Sequence, residues 1–408
     1  MGKAEYLNSK LVLKELGIKP QTLYAYVSRG WIKSIPDPES RGRLYLKSDV
    51  EKIRLRKRAR SGHAVTAASA LHFGDPILES SITEILENTI RYRGRDLFTE
   101  LCDRNVPFEN VAELLWTGSL VAEKVTWSKG PTFGSGETWK RAFEQAKGER
   151  EPRLRMASLL SRLTLSEVRE ADSRADQTRV LARELYRHLS GLVLRNCGNE
   201  PESCSIVEQV CLGYGLYGAE ARRVINVILV ACADHELNTA TFVARTAAAN
   251  GTDTLLCLES AYAAFRGTQQ AFQSDAVEAW NEKLSPKMTD RQLNEVLSAE
   301  VVRDGKLQGF GHALYAEGDP RARYLIDLGR TFSSDKTRTL DRAIHWAREH
   351  YQTEPNLDVG LVYLTKTLGL PPGAASTLFS LSRFSGMIAH IIEQREAGTP
   401  IRPRAKFV

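Results

Sequence analysis

The chain has 408 residues, 42% hydrophobic and 26% charged, the balance of a globular protein long enough for two or three cores. Its longest strongly apolar run, residues 224–233, is far short of the ~20 residues a membrane span needs, and Met1-Gly2-Lys3-Ala4-Glu5 opens no apolar signal segment, so a cytoplasmic protein with no membrane partner is expected. The net charge of +6 is uneven: residues 1–62 hold 15 Lys and Arg against 6 Asp and Glu, and the rest 41 against 44, so the head alone is expected to meet an acidic partner.

In chain order, Leu7-Asn8-Ser9 can cap a helix carrying Leu11, Val12 and Leu16, and Gly17 suits its end. Pro20 opens a second helix through Gln21, Thr22, Leu23, Tyr24, Ala25, Tyr26 and Val27, with Gly30 at its close. Residues 35–48 are turn-rich, with Pro36, Pro38, Ser40 and Gly42 before an alternating strand, Arg43-Leu44-Tyr45-Leu46-Lys47. Asp49 begins a third helix that runs into Arg54, Arg56, Lys57, Arg58 and Arg60. Helix, short turn, helix and hairpin over residues 6–60 resemble a winged helix-turn-helix domain of the MerR/excisionase type. The resemblance implies DNA as a partner. Gln21, Thr22, Tyr24 and Tyr26 would lie near bases or backbone, and Arg29, Lys33, Arg41 and Arg43 on phosphates. A fused module with merely solvated charges, or one that contacts protein, is the alternative. Residues 1–62 are assigned to this domain and 63–75 to a linker.

From about residue 75 the periodicity is helical, as in Val111-Ala112-Glu113-Leu114-Leu115, in Val207, Val210 and Cys211, and in Val224, Val227 and Ile228. Turns are expected at Lys129-Gly130-Pro131 and at Gly369-Leu370-Pro371-Pro372-Gly373. Little strand is expected beyond the wing. Among six cysteines there is no Cys-x-x-Cys, so neither a metal site nor a redox motif is indicated. Cys197, Cys204 and Cys211, seven apart, would share one helix face as buried thiols.

Several short segments carry polar groups in a chemically pointed order. Asp234-His235-Glu236-Leu237-Asn238 comes first. Gly309-Phe310-Gly311-His312-Ala313-Leu314-Tyr315 follows, and then Asp319-Pro320-Arg321. Pro355-Asn356-Leu357-Asp358, Ser382-Arg383 and Arg402-Pro403-Arg404 complete the series. A histidine in a glycine turn offers a neutral donor, and arginine forks match carboxylates in geometry. Taken singly, Asp358 reads as a helix N-cap, Arg383 as a surface charge and Arg402 as part of a basic tail. In this order and spacing, together with Tyr92-Arg93-Gly94-Arg95-Asp96-Leu97 and Phe108–Gly118, they resemble a citrate synthase over residues 76–408.

The resemblance implies a mainly α fold, with a large domain (76–244 and 356–408) and a small domain (245–355) that closes over the substrates. It implies condensation of oxaloacetate with acetyl-CoA or another short acyl-CoA, giving citrate or 2-methylcitrate, with no cofactor beyond the acyl-CoA substrate. Asp358 would be the base and His312 the donor to the ketone oxygen. His235, Arg321, Arg383 and Arg402 would hold the dicarboxylate, with Arg402 reaching across a homodimer. Leu307, Gln308, Gly309, Phe310 and Gly311 would lie against the CoA arm. The other histidines, among them His188 and His390, carry no motif and are expected to be structural.

One element of the family pattern is absent. Where the family has Gly-Pro-x-His-Gly-x-Ala-Asn, this chain has residues 266–277, which put Gln270 at the position of the enolate-stabilising histidine and Ser274 at that of the asparagine. The Gln270 amide can still donate a hydrogen bond, so condensation can survive. The alternatives are a weakly catalytic metabolite sensor with a DNA-binding head, or a partner subunit of an intact citrate synthase.

Overall fold

The computed structural model describes residues 6–16, 18, 20–28, 32–36, 42–47, 49–50, 78–127, 136–166, 174–193, 204–267, 273–315, 317–332 and 335–403. The chain forms two compact units, residues 1–79 with 302–305, and residues 80–301 with 306–408. In the first unit, β1 (Tyr6–Asn8), β2 (Ser34–Pro36) and β3 (Arg43–Leu46) form an antiparallel sheet in the order β1-β3-β2, with Tyr6 opposite Leu46 and Ser34 opposite Tyr45. Helices Ser9–Leu16 and Pro20–Ser28 lie between β1 and β2 in the chain. Asn8 caps the first of them, its Oδ1 accepting from the Leu11 amide at 3.0 Å. Val12, Leu16, Leu23, Ile32, Tyr45 and Val50 make the core of this unit. The strand β1 is only three residues long and was not expected. Gly17, Arg29, Gly30, Arg41, the linker 63–75 and the helix beyond Val50 lie outside the described residues.

Among its described residues the second unit is mainly helical, with one sheet in which β4 (Thr83–Ile85), β5 (Ile90–Tyr92) and β6 (Arg95–Asp96) pair antiparallel in sequence order. With strands of only two or three residues, this sheet agrees with the expectation of little strand beyond the wing. The signal was a turn. Arg93 and Gly94 both have left-handed φ, 49° and 79°, the requirement of a two-residue type I′ hairpin loop. The cysteine expectation changes. Cys204 precedes Ser205, the N-cap of helix Ile206–Gly213, so Cys204 and Cys211 do not share a helix, and Cys197 lies outside the described residues.

Helix Ala374–Ala397 is the axis of this unit. At 24 residues it spans about 36 Å. It is buried from Ala374 to Ile392 except at the half-buried Phe379, as its mixture of small and apolar residues on all faces requires. Helices Phe108–Thr117, Ala175–Val193, Ala219–Cys232, Thr239–Ala249 and Thr254–Phe265 pack around it. Two shorter helices, Pro320–Arg330 and Leu357–Thr367, lie side by side. Their close approach depends on Gly360, where a Cβ would come within 3.0 Å of the Ala322 Cα. That contact brings together their first turns, which carry Arg321 and Asp358. Among the described residues no helix is long and apolar enough to cross a membrane.

Candidate active site

Arg321 and Arg383 are both buried, 3% and 1% exposed, yet they are held in opposite ways. Asp319 caps the helix that carries Arg321. Its Oδ1 accepts from the Arg321 amide and Nε, both at 3.0 Å, and its Oδ2 accepts from Nη2 at 2.7 Å. Burial works against the charge on each partner, and the pairing outweighs it. The Asp319 carboxyl stays below the usual range and the Arg321 guanidinium stays firmly protonated.

Arg383 has no such partner. It projects from the axial helix with its guanidinium 5.1 Å from the Phe379 ring centroid. Its Nε and Nη1 are buried without a hydrogen bond, and its nearest carboxylate oxygen, Asp234 Oδ1, is 4.0 Å from Nη1. Burial lowers its proton affinity. The reading of Arg383, taken singly, as a surface charge does not hold, because the side chain is buried. A buried cation with two idle N–H groups is costly unless an anion answers it.

Asp234 lies beneath this arginine. Its Oδ2 accepts from Thr83 Oγ1 at 2.6 Å and from the Glu236 amide at 3.0 Å, with His390 Nε2 at 3.4 Å. The Tyr92 hydroxyl donates to its carbonyl at 2.9 Å. Burial would raise the Asp234 carboxyl, but His390, Arg383 and Thr83 together hold it low. The β4–β6 sheet thus supplies the floor of the site.

The two motif histidines face each other, with ring centroids 5.6 Å apart and planes at 83°. His235 is kept neutral by burial and by Arg321, Arg383 and His312, its protonation pushed well below the usual histidine range. His312 is likewise lowered, first by burial. The His312 Nδ1 accepts from the Leu314 amide at 3.1 Å. In the neutral ring the proton then sits on Nε2, which makes His312 a donor without charge. Tyr315 packs against both rings, with centroids 5.8 Å from His235 and 4.8 Å from His312, and its hydroxyl is 2.7 Å from His235 Nε2.

Asp358 is the second residue of helix Leu357–Thr367, so it is not the N-cap. That role belongs to Asn356, whose Oδ1 accepts from the Asp358 amide at 3.0 Å. The Asp358 Oδ1 accepts from Ser274 Oγ at 2.7 Å. Burial pushes the carboxyl up to about 6, against the opposing pull of Ser274 and Arg321. A carboxylate ionised at neutral pH but with a raised proton affinity is suited to general-base work.

The turn at residues 307–311 is joined to the segment before Asp358. The Gly311 amide donates to the Glu354 carbonyl at 2.9 Å, and the Asn356 amide to the Gly309 carbonyl at 2.8 Å. Gly309 has φ 89°, and a Cβ there would come within 2.5 Å of Val277 Cγ2 and 2.7 Å of Val359 Cγ2. Leu307 and Phe310 are buried, Gln308 accepts at its carbonyl from Trp280 Nε1 at 3.1 Å, and Gly311 is exposed.

The structure thus gathers His235, His312, Arg321, Arg383 and Asp358 into one electrostatic cluster in which Arg321 acts on the other four. Arg402 is exposed beyond the axial helix, and no hydrogen bond or ion pair joins it to the described site residues. Gln270 lies outside the described residues. In the first unit, Gln21, Thr22, Tyr24 and Tyr26 lie on helix Pro20–Ser28, and Lys33 and Arg43 are exposed near the β2–β3 hairpin. Sequence reasoning missed Thr83, Tyr92, Asp234, Ser274, Tyr315, Asp319, Asn356 and His390 as working parts of the site. Asp234, Tyr315, Asp319 and Asn356 sit inside the motifs already singled out, so a search for caps and second carboxylates there would have found them.

A family model described as "Citrate synthase, C-terminal domain" matches residues 73–404. The chain belongs to the citrate synthase family. "Citrate synthase 2" of Bacillus subtilis (strain 168) is 27% identical over 353 residues, covering 80% of this chain and 92% of that protein. A "2-methylcitrate synthase" of Shewanella oneidensis is 29% identical over 193 residues, 46% of this chain and half of that protein. Among solved structures, citrate synthase from Thermoplasma acidophilum in ternary complex with carboxymethyl coenzyme A and oxaloacetate superposes with a TM-score of 0.70 at 21% identity, covering 83% of this chain and 96% of that one. The Thermotoga maritima citrate synthase gives 0.68 at 21% identity. These likenesses establish the citrate synthase fold over the helical unit.

Proposed function

We propose that this chain condenses oxaloacetate with acetyl-CoA or another short acyl-CoA, releasing CoA. The observation that carries the reading is Asp358, a base tuned to about 6 in a cluster whose buried Arg383 has two unanswered donors. In this reading Arg383, Arg321 and His235 hold the dicarboxylate. His312 Nε2 donates to its ketone oxygen, which withdraws electrons from the carbon to be attacked. Asp358 removes a methyl proton from the thioester, and the resulting enolate attacks that carbon. Water then hydrolyses the citryl thioester. Gln270 donates to the enolate oxygen, and the 307–311 turn carries the CoA arm beside the base. Residues 245–355 act as a small domain that closes over the substrates and excludes water, and Arg402 completes the site of a second copy in a homodimer.

The test is thiol release from acetyl-CoA. It is expected to require oxaloacetate, to fall by roughly 10²–10⁴ in Asp358→Ala, and to rise by up to roughly 10² in Gln270→His. A folded protein that releases no thiol as wild type or as Gln270→His would overturn the reading.

A second activity rests on the first unit. Its sheet, its two helices and its exposed Lys33 and Arg43 suit a winged helix-turn-helix head on DNA, with helix Pro20–Ser28 in the major groove. If the helical unit turns over poorly, the same dicarboxylate pocket would serve as a sensor that alters DNA binding. A DNA-binding assay with and without oxaloacetate separates this from a purely catalytic chain.

A further inference from the structure

We infer that Ser274 is the positioning residue of the base: its hydroxyl fixes which oxygen of Asp358 faces the acyl methyl group. This rests on the function proposed above and goes beyond it, because the loop that departs from the family pattern is the one that supplies Ser274.

The geometry is specific. Ser274 is fully buried on the first turn of helix Gln273–Glu282, and its Oγ donates to Asp358 Oδ1 at 2.7 Å. The next residue anchors that turn from two sides. Asp275 Oδ2 lies 2.7 Å from Arg153 Nη1, and its Oδ1 accepts from Ser376 Oγ at 2.7 Å. One turn on, Val277 wedges against Gly309, which also touches Val359 beside Asp358. Farther along, Glu278 Oε2 accepts from the Gly373 amide at 2.7 Å. The serine is therefore held by a rigid helix start, and the aspartate by the Asn356 cap. A carboxylate with one oxygen occupied by a hydroxyl donor has one oxygen left for proton transfer. With Oδ1 engaged, Oδ2 is the basic atom. The hydroxyl also favours the ionised form, which opposes the effect of burial.

The groups facing this carboxylate are Ser274 from helix Gln273–Glu282, Arg321 and Asp319 from the start of helix Pro320–Arg330, the Cys232 thiol at the end of helix Ala219–Cys232, and the Asn356 cap on its own helix. None duplicates the serine as a side-chain donor to Oδ1 among the described residues.

The test has two arms with different failure modes. In the first, unfolding of wild type, Ser274→Ala, Asp358→Asn and the double variant is followed at pH 5 and pH 8. The serine is expected to matter more at pH 8, where Asp358 is ionised, and its pH dependence is expected to vanish in the Asp358→Asn background. A Ser274→Ala effect that is the same at both pH values and in both backgrounds overturns the inference, whether or not the protein turns over. In the second arm, the acid limb of kcat/KM for thiol release is expected to move up by about one pH unit in Ser274→Ala, the worth of one hydrogen bond to a charged group. Ser274→Thr, which keeps the donor, should restore the limb. An unmoved limb with a merely lower kcat would mean that the serine only packs. If neither wild type nor Gln270→His shows thiol release, the functional proposal fails while the first arm still decides the role of Ser274.

Discussion

The two halves of the site are built to different degrees of completion. Around the base, the polar groups of the described residues are answered except for Oδ2 of Asp358. Asn356 caps the helix, Ser274 occupies one carboxylate oxygen, and the Gly309 turn is hydrogen-bonded to the segment leading into Asp358. Around the anion clamp, Arg383 keeps two buried donors idle and Asp234 Oδ1 is unpaired 4.0 Å away. The difference teaches where ligand is needed. On the function proposed above, the base would be in place before substrate arrives, whereas the clamp would reach its lowest free energy only with an anion in it. Arg321 sits between these extremes, neutralised by Asp319 on one edge, and so positions more than it attracts.

The sharpest way to break this contrast is Arg383→Met. It removes a desolvated charge and leaves Asp234 held by Thr83, the Glu236 amide and His390, so the fold should persist. Oxaloacetate binding by calorimetry should weaken by about 2–5 kcal/mol. Unchanged affinity would place the clamp elsewhere.

A second effect is the pH response. Asp358 must be ionised to act, so kcat/KM should fall about tenfold per unit as pH drops below about 6. The histidines add nothing there if they stay neutral, as their lowered proton affinities require. A limb near 7 that survives in Asp358→Asn would assign the titration to another group.

The smallest effect is on stability. Burial raises Asp358 above its unfolded value, so the protonated form favours the native state. That contribution is present at low pH and is lost as pH rises through about 6. Asp358→Asn removes the cost of ionisation and should stabilise the protein by up to about 3 kcal/mol at pH 8 and by little at pH 4. Equal curves would show that the carboxylate is as well solvated folded as unfolded.

The helical unit and the motif residues were legible in the sequence because chemistry and local structure use the same residues there. His312 needs its glycine turn, and Arg321 and Asp358 each sit just inside a helix start marked by Asp-Pro or Asn. The β4–β6 sheet was harder to see. Its strands are two or three residues long, too short for alternation, and only the Arg93-Gly94 pair betrayed the hairpin. Partners far apart in the chain were not legible at all. Nothing near Thr83 foretells a bond to Asp234, 151 residues away, and nothing near Ser274 foretells Asp358. Such pairs are set by the packing around the axial helix and by the close approach at Gly309 and Gly360.

The most direct test of the base is exchange of the acetyl-CoA methyl protons in D₂O, followed by NMR with a dicarboxylate that lacks the ketone, such as malate, in the clamp. Without an electrophile the enolate can only be reprotonated, so the readout isolates proton abstraction. Deuterium should enter the methyl group with wild-type protein and not with Asp358→Asn. Equal exchange in both, or none in wild type under conditions where malate is bound, would contradict the account.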